Sequence, residues 1–532
     1  RAPLARRREQ TMTRNAGKTV LGRMSIKPQW KTAFLTVLLV GLLVHLPMMV
    51  RDIPNHDGLA SLYFDQNMIT SGRFFLGIAC SFSSFYALPW ISGLLGLFWL
   101  ALTSVALVAF LEIHRKFYAG LIGAILVTFP VIASNFAYVF TMDGYMMGLC
   151  LAVSSVLAVK KLRYGAFVGG CCLALSLGIY QSYLSVAMVL SLYGIVQAAI
   201  IIERASKQGT HLWEKTLFAY IRMGIYGVLF YLGILHLLLW IQGKELASYQ
   251  GISDFGVAES GGNLNIFLRM GKDFLSFTFR GGILLPNIAA QIALTLLFFF
   301  AATVFLRRFL RNRWSRKPQF YVAVVLTLFL TPICFNAILL ISPKVTYHSL
   351  MRYQWVLIPI LLLAFIERFG GIPFRKYYSG IVSICVIVLI LTYSVIDNIG
   401  YSNLEKRLDK TYAYCIRLLD RIEQTPGYYQ GIPIAMVGVV GEEQFPPTDL
   451  TRAVTEPMLG MSGDSLLYTA VNYQAFIKHY LGADLNFLPT EEMMRVYYTD
   501  EYIKMESFPG KTSVQVIDGI LYVKTENTNR SE

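Results

Sequence analysis

The run KTAFLTVLLVGLLVHLPMMV at residues 31–50 decides the fold. After Lys31 it holds no Asp, Glu, Lys or Arg, and as an α-helix rising ~1.5 Å per residue it reaches the ~30 Å of a bilayer's hydrocarbon core. Lipid offers the backbone no hydrogen bonds, so such a run must satisfy its own N–H and C=O groups as a helix. Comparable runs recur near 88–111, 117–134, 145–159, 166–183, 184–202, 216–241, 283–306, 319–341, 353–369 and 379–396. The expectation is an all-α polytopic membrane protein of about 11 transmembrane helices.

Composition agrees. Over 532 residues the chain is 55% hydrophobic and 15% charged, with a mean hydropathy of +0.52, too apolar for a soluble globular protein. The net charge of +15 sits in short clusters between apolar runs, such as HRK at 114–116, KKLR at 160–163 and RRFLRNRWSRK at 307–317. That pattern marks cytoplasmic loops, not a nucleic-acid footprint, and no nucleic-acid partner is expected. The seven cysteines follow no metal-ligand or disulfide spacing and read as small buried hydrophobes.

The basic clusters fall on alternate loops, which places the N-terminus inside and the C-terminus outside. The reading is a basic cytoplasmic tail at 1–30 without a cleavage signature, a transmembrane domain at 31–396, and an extracytoplasmic α/β domain at 397–532. The last segment carries 12 Lys+Arg against 19 Asp+Glu, whereas the rest carries 35 against 13. Within it LEKRLDKTYAYCIRLLDRIEQ reads as a helix, IPIAMVGVV as a buried strand, VNYQAFIKHYL as a short helix, and SVQVIDGILYVKT as a hairpin turning at Asp518-Gly519.

The predicted outer loops hold the residues able to do chemistry. IPNHDGLASLYFDQNMITSGRFF, residues 53–75, follows the first span. In it Asp57 is a candidate general base for removing a hydroxyl proton, with His56 beside it. Asp52 and Asp65 share the loop and rank lower, and LASLYFDQNMI has the spacing of an interfacial amphipathic helix. Arg73 follows Gly72, a tight-turn residue, and its guanidinium suits a phosphate at headgroup level. Asp143, in FTMDGYM, stands at the mouth of the next helix, where a carboxylate is costly unless paired, hydrated or functional. GIYQSYL brings Tyr180, Gln181 and Tyr183, which can stack on and hydrogen-bond a sugar or serve as an aromatic belt. SPKVTYHSLMRYQW adds Lys344, His348 and Arg352, cations against the positive-inside trend that call for an anion. The 243–282 loop, with Lys244, Arg269, Lys272 and Arg280, reads as a lid or a lipid-facing helix.

The sequence contains no P-loop, HExxH or GxSxG motif, so a nucleotide-driven machine is not expected. The order IPNHDGLASLYFDQNMITSGRFF, FTMDGYM, GIYQSYL, with the closing SVQVIDGILYVKT, resembles the bacterial serotype-converting glucosyltransferases, Gtr type II, of the membrane-embedded GT-C superfamily. The likeness runs from about residue 30 to 525. It implies a GT-C-like fold and transfer of a hexose, glucose, from a polyprenyl-phosphate donor to a surface glycan such as O-antigen, on the outer face of the bacterial inner membrane. The superfamily's first-loop carboxylate falls on Asp57 and its second-loop acid on Asp143, while His56 stands where many relatives have a second acid. Asp57 would deprotonate the acceptor, Arg73 and Arg352 would stabilise the departing lipid phosphate, and the anomeric centre would invert.

A Mg or Mn ion bridging Asp57 and Asp143 to the phosphate is chemically compatible but not required, so no metal is assigned. The implied partners are the lipid-linked donor, the glycan acceptor, the bilayer, a flippase and a donor-synthesising transferase. Alternatives are a polymerase or ligase acting on diphosphate-linked glycans, a lipid-linked-sugar flippase or transporter, which would carry ionisable residues at the bilayer midplane, and a non-catalytic sensor.

Overall fold

The computed structural model describes residues 26–60, 68–83, 88–201, 212–247, 263–311, 318–343, 345–436, 452–461, 466–467 and 469–525. Asp65 and Lys344 lie outside the described residues, as do residues 61–67 of the 59–69 segment read as an interfacial helix.

The protein is mostly helical. The membrane part comprises α1 (Pro28–Val50), a short α2 (His56–Ala60), α3 (Leu76–Cys80), α4 (Pro89–Leu111), α5 (Lys116–Thr128), α6 (Pro130–Phe136), α7 (Met142–Lys161), α8 (Gly165–Leu177), α9 (Tyr183–Ile201), α10 (Leu212–Gln242), α11 (Asn263–Arg280), α12 (Ile288–Arg311), α13 (Pro318–Phe335), α14 (Leu357–Phe369) and α15 (Gly371–Glu423). Among the described residues eight helices are long and apolar enough to cross a bilayer. The chain is a membrane protein.

All eleven apolar runs lie on helices, but three are not single long ones. Pro130 breaks the 117–134 run, because the residue before a proline is driven to extended backbone: Phe129 has φ −65° and ψ 129°, and α5 and α6 meet at a 48° bend. α8 stops after 13 residues where the chain turns at Gly178–Ser182, and the 319–341 run stops at Phe335. Thirteen residues of helix span only ~20 Å.

α1 packs between α4 and α5, α4 on α7, α7 on α8, and α8 on α10. In the other half α9 packs on α13, while α12 packs on both α14 and α15. α15 closes the arrangement by returning against α1, α5 and α6.

One end of the bundle is tied by charge. Glu112 caps α4 in the left-handed region (φ 57°) and receives Arg368 at 2.6 Å and Lys160 at 3.1 Å. Burial pushes its carboxyl up, yet the two cations outweigh that and hold its pKa at about 2. Beside it Glu367 accepts from the backbone N–H of His114 and Arg115 at 3.2 and 2.9 Å. These residues come from loops that the sequence groups on one side. Loops 51–60, 135–145, 178–183 and 345–352 gather at the opposite end, together with the C-terminal segment.

That segment hangs on a continuation of α15, whose 53 residues run through position 397 without a break. It carries a three-stranded sheet of order β1-β3-β2, with β1 (Ile434–Ala435) parallel to β3 (Ile520–Val523) and β2 (Val514–Ile517) antiparallel to it. The hairpin turns at Asp518-Gly519, both at positive φ (50° and 78°), as a two-residue turn of this hand demands. Of the strand read in IPIAMVGVV only Ile434–Ala435 is seen, and residues 437–440 lie outside the described ones. VNYQAFIKHYL forms α16 (Ala470–Phe476) and one further turn, started by a capping box between Thr469 and Asn472.

Candidate active site

The first loop is built by Asn55. Its side-chain oxygen accepts from the backbone N–H of Asp57 at 2.7 Å and of Gly58 at 3.3 Å, starting α2. Asp57 thereby stays half-exposed, with its Oδ1 3.4 Å from His56 Nε2. Burial lowers the His56 pKa, Asp57 pulls it back up, and the Arg407 charge lowers it again. The imidazole is therefore neutral at neutral pH.

The C-terminal domain roofs this loop. Asn472 Nδ2 donates to the His56 carbonyl at 2.9 Å, Tyr480 donates to Asp52 at 2.9 Å, and Arg51 pairs with Glu405. Burial raises the Asp52 carboxyl's pKa, against the Tyr480 hydrogen bond. Leu59 is buried with Tyr473 and Phe476 in the domain's own core.

Asp143 sits in the first turn of α7 and is fully buried. Its Oδ1 accepts from the Gly144 N–H at 2.9 Å, Ser83 and Cys80 lie against it, and Oδ2 is enclosed without a hydrogen bond. The surrounding stretch 138–145 has two faces. Tyr138 is edge-on to His56 at 6.4 Å, and Phe140 lies 3.4 Å from where a Gly58 side chain would start. Seven residues after Tyr138, Tyr145 faces Arg73, whose Nη1 lies 3.5 Å from its hydroxyl.

Arg73 is presented by a clamped turn. Gly72 has φ +75°, and a Cβ there would meet Gln181 Nε2 and the Tyr231 hydroxyl at 2.6 Å. Those two groups hold the turn: Gln181 donates to the Ser71 carbonyl at 3.1 Å and Tyr231 to the Gly72 carbonyl at 3.1 Å. The guanidinium then lies 5.6 Å from the ring centre of Tyr180, which packs on Tyr145 at 5.0 Å and Tyr183 at 5.5 Å. Tyr183 is buried behind Tyr180, against Gly148.

Arg352 is paired. It makes a two-pronged ion pair with Asp273 of α11 at 2.7 and 2.8 Å, and its guanidinium lies 3.7 Å from the Tyr347 ring centre and 4.3 Å from that of Phe277. α11 is amphipathic: Ile266, Met270, Phe274 and Phe277 line its packed face, and Leu268, Leu275 and Phe279 are exposed. His348 precedes this group, its Nδ1 enclosed without a hydrogen bond. Burial and the charges of Arg73 and Arg352 lower its pKa to about 4.

Below the Arg73 turn opens a largely apolar cavity of about 460 Å³, lined by Leu177, Leu184, Tyr231, Leu235, His236 and Leu340. Tyr231 belongs to both cavity and turn. A second, almost wholly apolar cavity of about 350 Å³ lies between α9, α11, α13 and α14.

Asp57, His56, Arg73, Tyr180 and Tyr145 are thus joined through the 138–145 stretch. Gln181 and Tyr183 serve as its support, Asp143 is enclosed beside it, and Arg352 is held by a carboxylate. Among the described residues no three His, Cys, Asp or Glu side chains converge as metal ligands, so no step is routed through Mg or Mn. Sequence reading missed Asp273, Tyr231, Tyr145 and Asn472. The one signal it offered was a lone aspartate among the basic residues of 266–280.

No curated protein and no solved structure matches the chain. The sequence model of the family described as Glucosyl transferase GtrII matches residues 46–359, a stretch that holds the Asp57 loop, the 138–145 bridge, the Arg73 turn and the Asp273–Arg352 pair. With that match over more than half of its length, this chain belongs to the GtrII glucosyltransferase family and is a membrane glycosyltransferase.

Proposed function

We propose that the chain moves glucose from a polyprenyl-phosphate donor to a surface polysaccharide such as O-antigen, at the outer face of the bacterial inner membrane. The observation that carries this reading is a juxtaposition. The 138–145 stretch has the half-exposed Asp57 on one side and Arg73 on the other, and an apolar cavity starts at Tyr231 under Arg73. A donor with a polar head and an isoprenoid tail matches that order of base, cation and apolar space.

In this mechanism Asp57 takes the proton of the acceptor hydroxyl as its oxygen attacks the anomeric carbon. The bond from that carbon to the phosphate oxygen breaks, its electron pair leaves with the phosphate, and the configuration inverts. Arg73 stabilises the charge gathering on the leaving oxygen. Tyr180, held against Arg73 and Tyr145, offers a face to the sugar. His56, kept neutral, orients the Asp57 carboxylate. Asp143, enclosed against Cys80 and Ser83, sets the position of the stretch that carries Tyr145. Arg352, its charge met by Asp273, fixes the 345–352 loop. A donor-synthesising transferase and a flippase would supply the lipid-linked sugar.

The test is glycan linkage analysis in cells expressing wild type or Asp57→Asn at matched membrane levels. Losing a base costs ~10²- to 10⁴-fold in rate, so the glucose branch should vanish in the variant. An undiminished branch would remove Asp57 from the chemistry, and its absence from both strains would remove the glycan acceptor.

A further inference from the structure

Residues 121–150 run from α5 through the 138–145 stretch into α7, and among them Tyr138 alone is not buried. The local backbone brings this about. α6 ends at Phe136, a 3₁₀ turn spans Val139–Thr141, and Tyr138 between them steps out of the helical region, with φ −114° and ψ 53°. Its ring emerges beside the Asp57–His56 pair, edge-on to the imidazole at 6.4 Å, and the mechanism above gives it no task. One edge of the ring is met by the C-terminal segment. Gly460 has φ +78°, and a Cβ there would meet Tyr138 Cε2 at 2.8 Å and Ala137 Cβ at 3.3 Å, so glycine lets the chain come up against the ring. Gly460 is itself held in place: the Leu459 N–H donates to Ser349 Oγ at 2.8 Å, Asn403 donates to the Thr455 hydroxyl at 3.1 Å, and Met458 and Met461 are buried in the core of the membrane part.

With Asp57 as base toward a glycan hydroxyl, the reading on which this step rests, donor and acceptor need separate footholds. The donor sugar lies by Tyr180 and Arg73 on one face of the 138–145 stretch, so the acceptor reaches Asp57 from the other, where Tyr138 stands. A hydroxyl on a flexible polysaccharide reacts well only when its own ring is held in line with the base. A pyranose presents one face of C–H groups, and a tyrosine offers that face a rigid apolar surface with a polar rim. We infer that Tyr138 is the acceptor platform, on which the sugar that presents its hydroxyl to Asp57 stacks, and that Gly460 is the positioning residue that sets the pitch of the ring. Acceptor recognition is thereby shared between the membrane part and the C-terminal segment, while the donor's sugar and phosphate meet the membrane part.

The test is steady-state transfer by the full chain in phosphatidylcholine nanodiscs. The donor is geranylgeranyl phosphoglucose, and the acceptor is unbranched surface polysaccharide purified from host cells that lack the chain. Tyr138→Leu keeps apolar bulk but loses the flat face, so it should raise KM for the polysaccharide about tenfold and leave KM for the donor within about twofold, which also certifies folding. Tyr138→Phe keeps the face and should stay within about threefold of wild type for both substrates. Gly460→Ala should raise the acceptor KM when Tyr138 is present and add less than about twofold in the Tyr138→Leu background, because the two act through one ring. Fully additive effects would remove Gly460 from the subsite. An acceptor KM unmoved in Tyr138→Leu, or a donor KM that rises with it, would overturn the platform and leave the ring as an interfacial anchor or general support. If wild type moves no glucose from this donor to this polysaccharide, the reading of the function itself falls, and this inference with it.

Discussion

The side-chain amide of Asn472 donates to the backbone carbonyl of His56 at 2.9 Å, across 416 residues of sequence. The same side chain accepts from Thr469 in the capping box that starts α16, so one asparagine couples a helix start in the C-terminal domain to the loop carrying Asp57. Replacing Asn472 with Ala removes the tie and the side-chain half of the capping box, leaving the Thr469 hydroxyl on the residue 472 N–H, at ~1–2 kcal/mol. Glucosyl transfer should fall about tenfold or more through kcat, with KM for the lipid donor little changed because Arg73 is untouched. Steady-state kinetics on purified protein checks this, and a pure KM effect would mean the domain acts on binding instead.

Gly72 allows the Arg73 turn for two independent reasons, positive φ and lack of a side chain. Gly72→Ala adds backbone strain of ~1–3 kcal/mol and drives a methyl into Gln181 and Tyr231. Donor affinity should drop at least ~10-fold while the protein stays folded in detergent. Tyr231→Phe, which loses the hydrogen bond to the Gly72 carbonyl and the one accepted from Gln181 but adds no clash or backbone strain, should show a smaller loss of the same kind.

Asp273 balances a guanidinium that is 7% exposed. Breaking such a pair from one side costs up to ~3–5 kcal/mol when fully buried, and less here because Asp273 remains a quarter exposed. Asp273→Asn should lower the thermal midpoint measurably, whereas Asp273→Glu should retain most of it. Equal midpoints for Asn and wild type would show that the aromatic rings alone hold Arg352.

His56 and His348 both have pKa values below the ordinary histidine value, His348 at about 4. The unfolded chain therefore binds more protons between the folded values and about 6.5, so stability is intact above about pH 6.5 and is lost as pH falls toward about 4. For His348 the loss is at most ~3 kcal/mol before screening. Thermal midpoints should fall from pH 7 to pH 5, less steeply in the double variant His56→Asn, His348→Gln. An identical slope in that variant would place the acid lability elsewhere.

The legibility of this chain divides by the range of the forces involved. Bilayer thickness and the lack of water make a twenty-residue apolar run a helix whatever its neighbours do, and so the runs were visible. The Asp518-Gly519 hairpin and the Gly72 turn were visible because φ > 0 narrows the choice of residue locally. Helix continuity was less so: the Pro130 bend is a local signal, yet the early end of α8 follows from the Gly178–Ser182 turn that Gln181 anchors to Ser71.

Arg352 shows where sequence reading ran short. Its charge on the predicted outer side called for an anion, and the anion it meets is Asp273, 79 residues earlier. Gln181 and Tyr183, read as sugar contacts, are held in the protein's own packing, since hydrogen-bonding capacity does not reveal which partner will claim it.

By itself, then, the sequence determined a polytopic helical membrane protein with acidic and basic groups gathered in a few loops, because hydrophobic length and charge asymmetry act residue by residue. Only the tertiary structure decided which of those groups stand open and which are spent on each other. Ion pairs and hydrogen bonds work over a few ångströms, and folding brought Asn472 to His56, Asp273 to Arg352, and Tyr231 to the turn that presents Arg73.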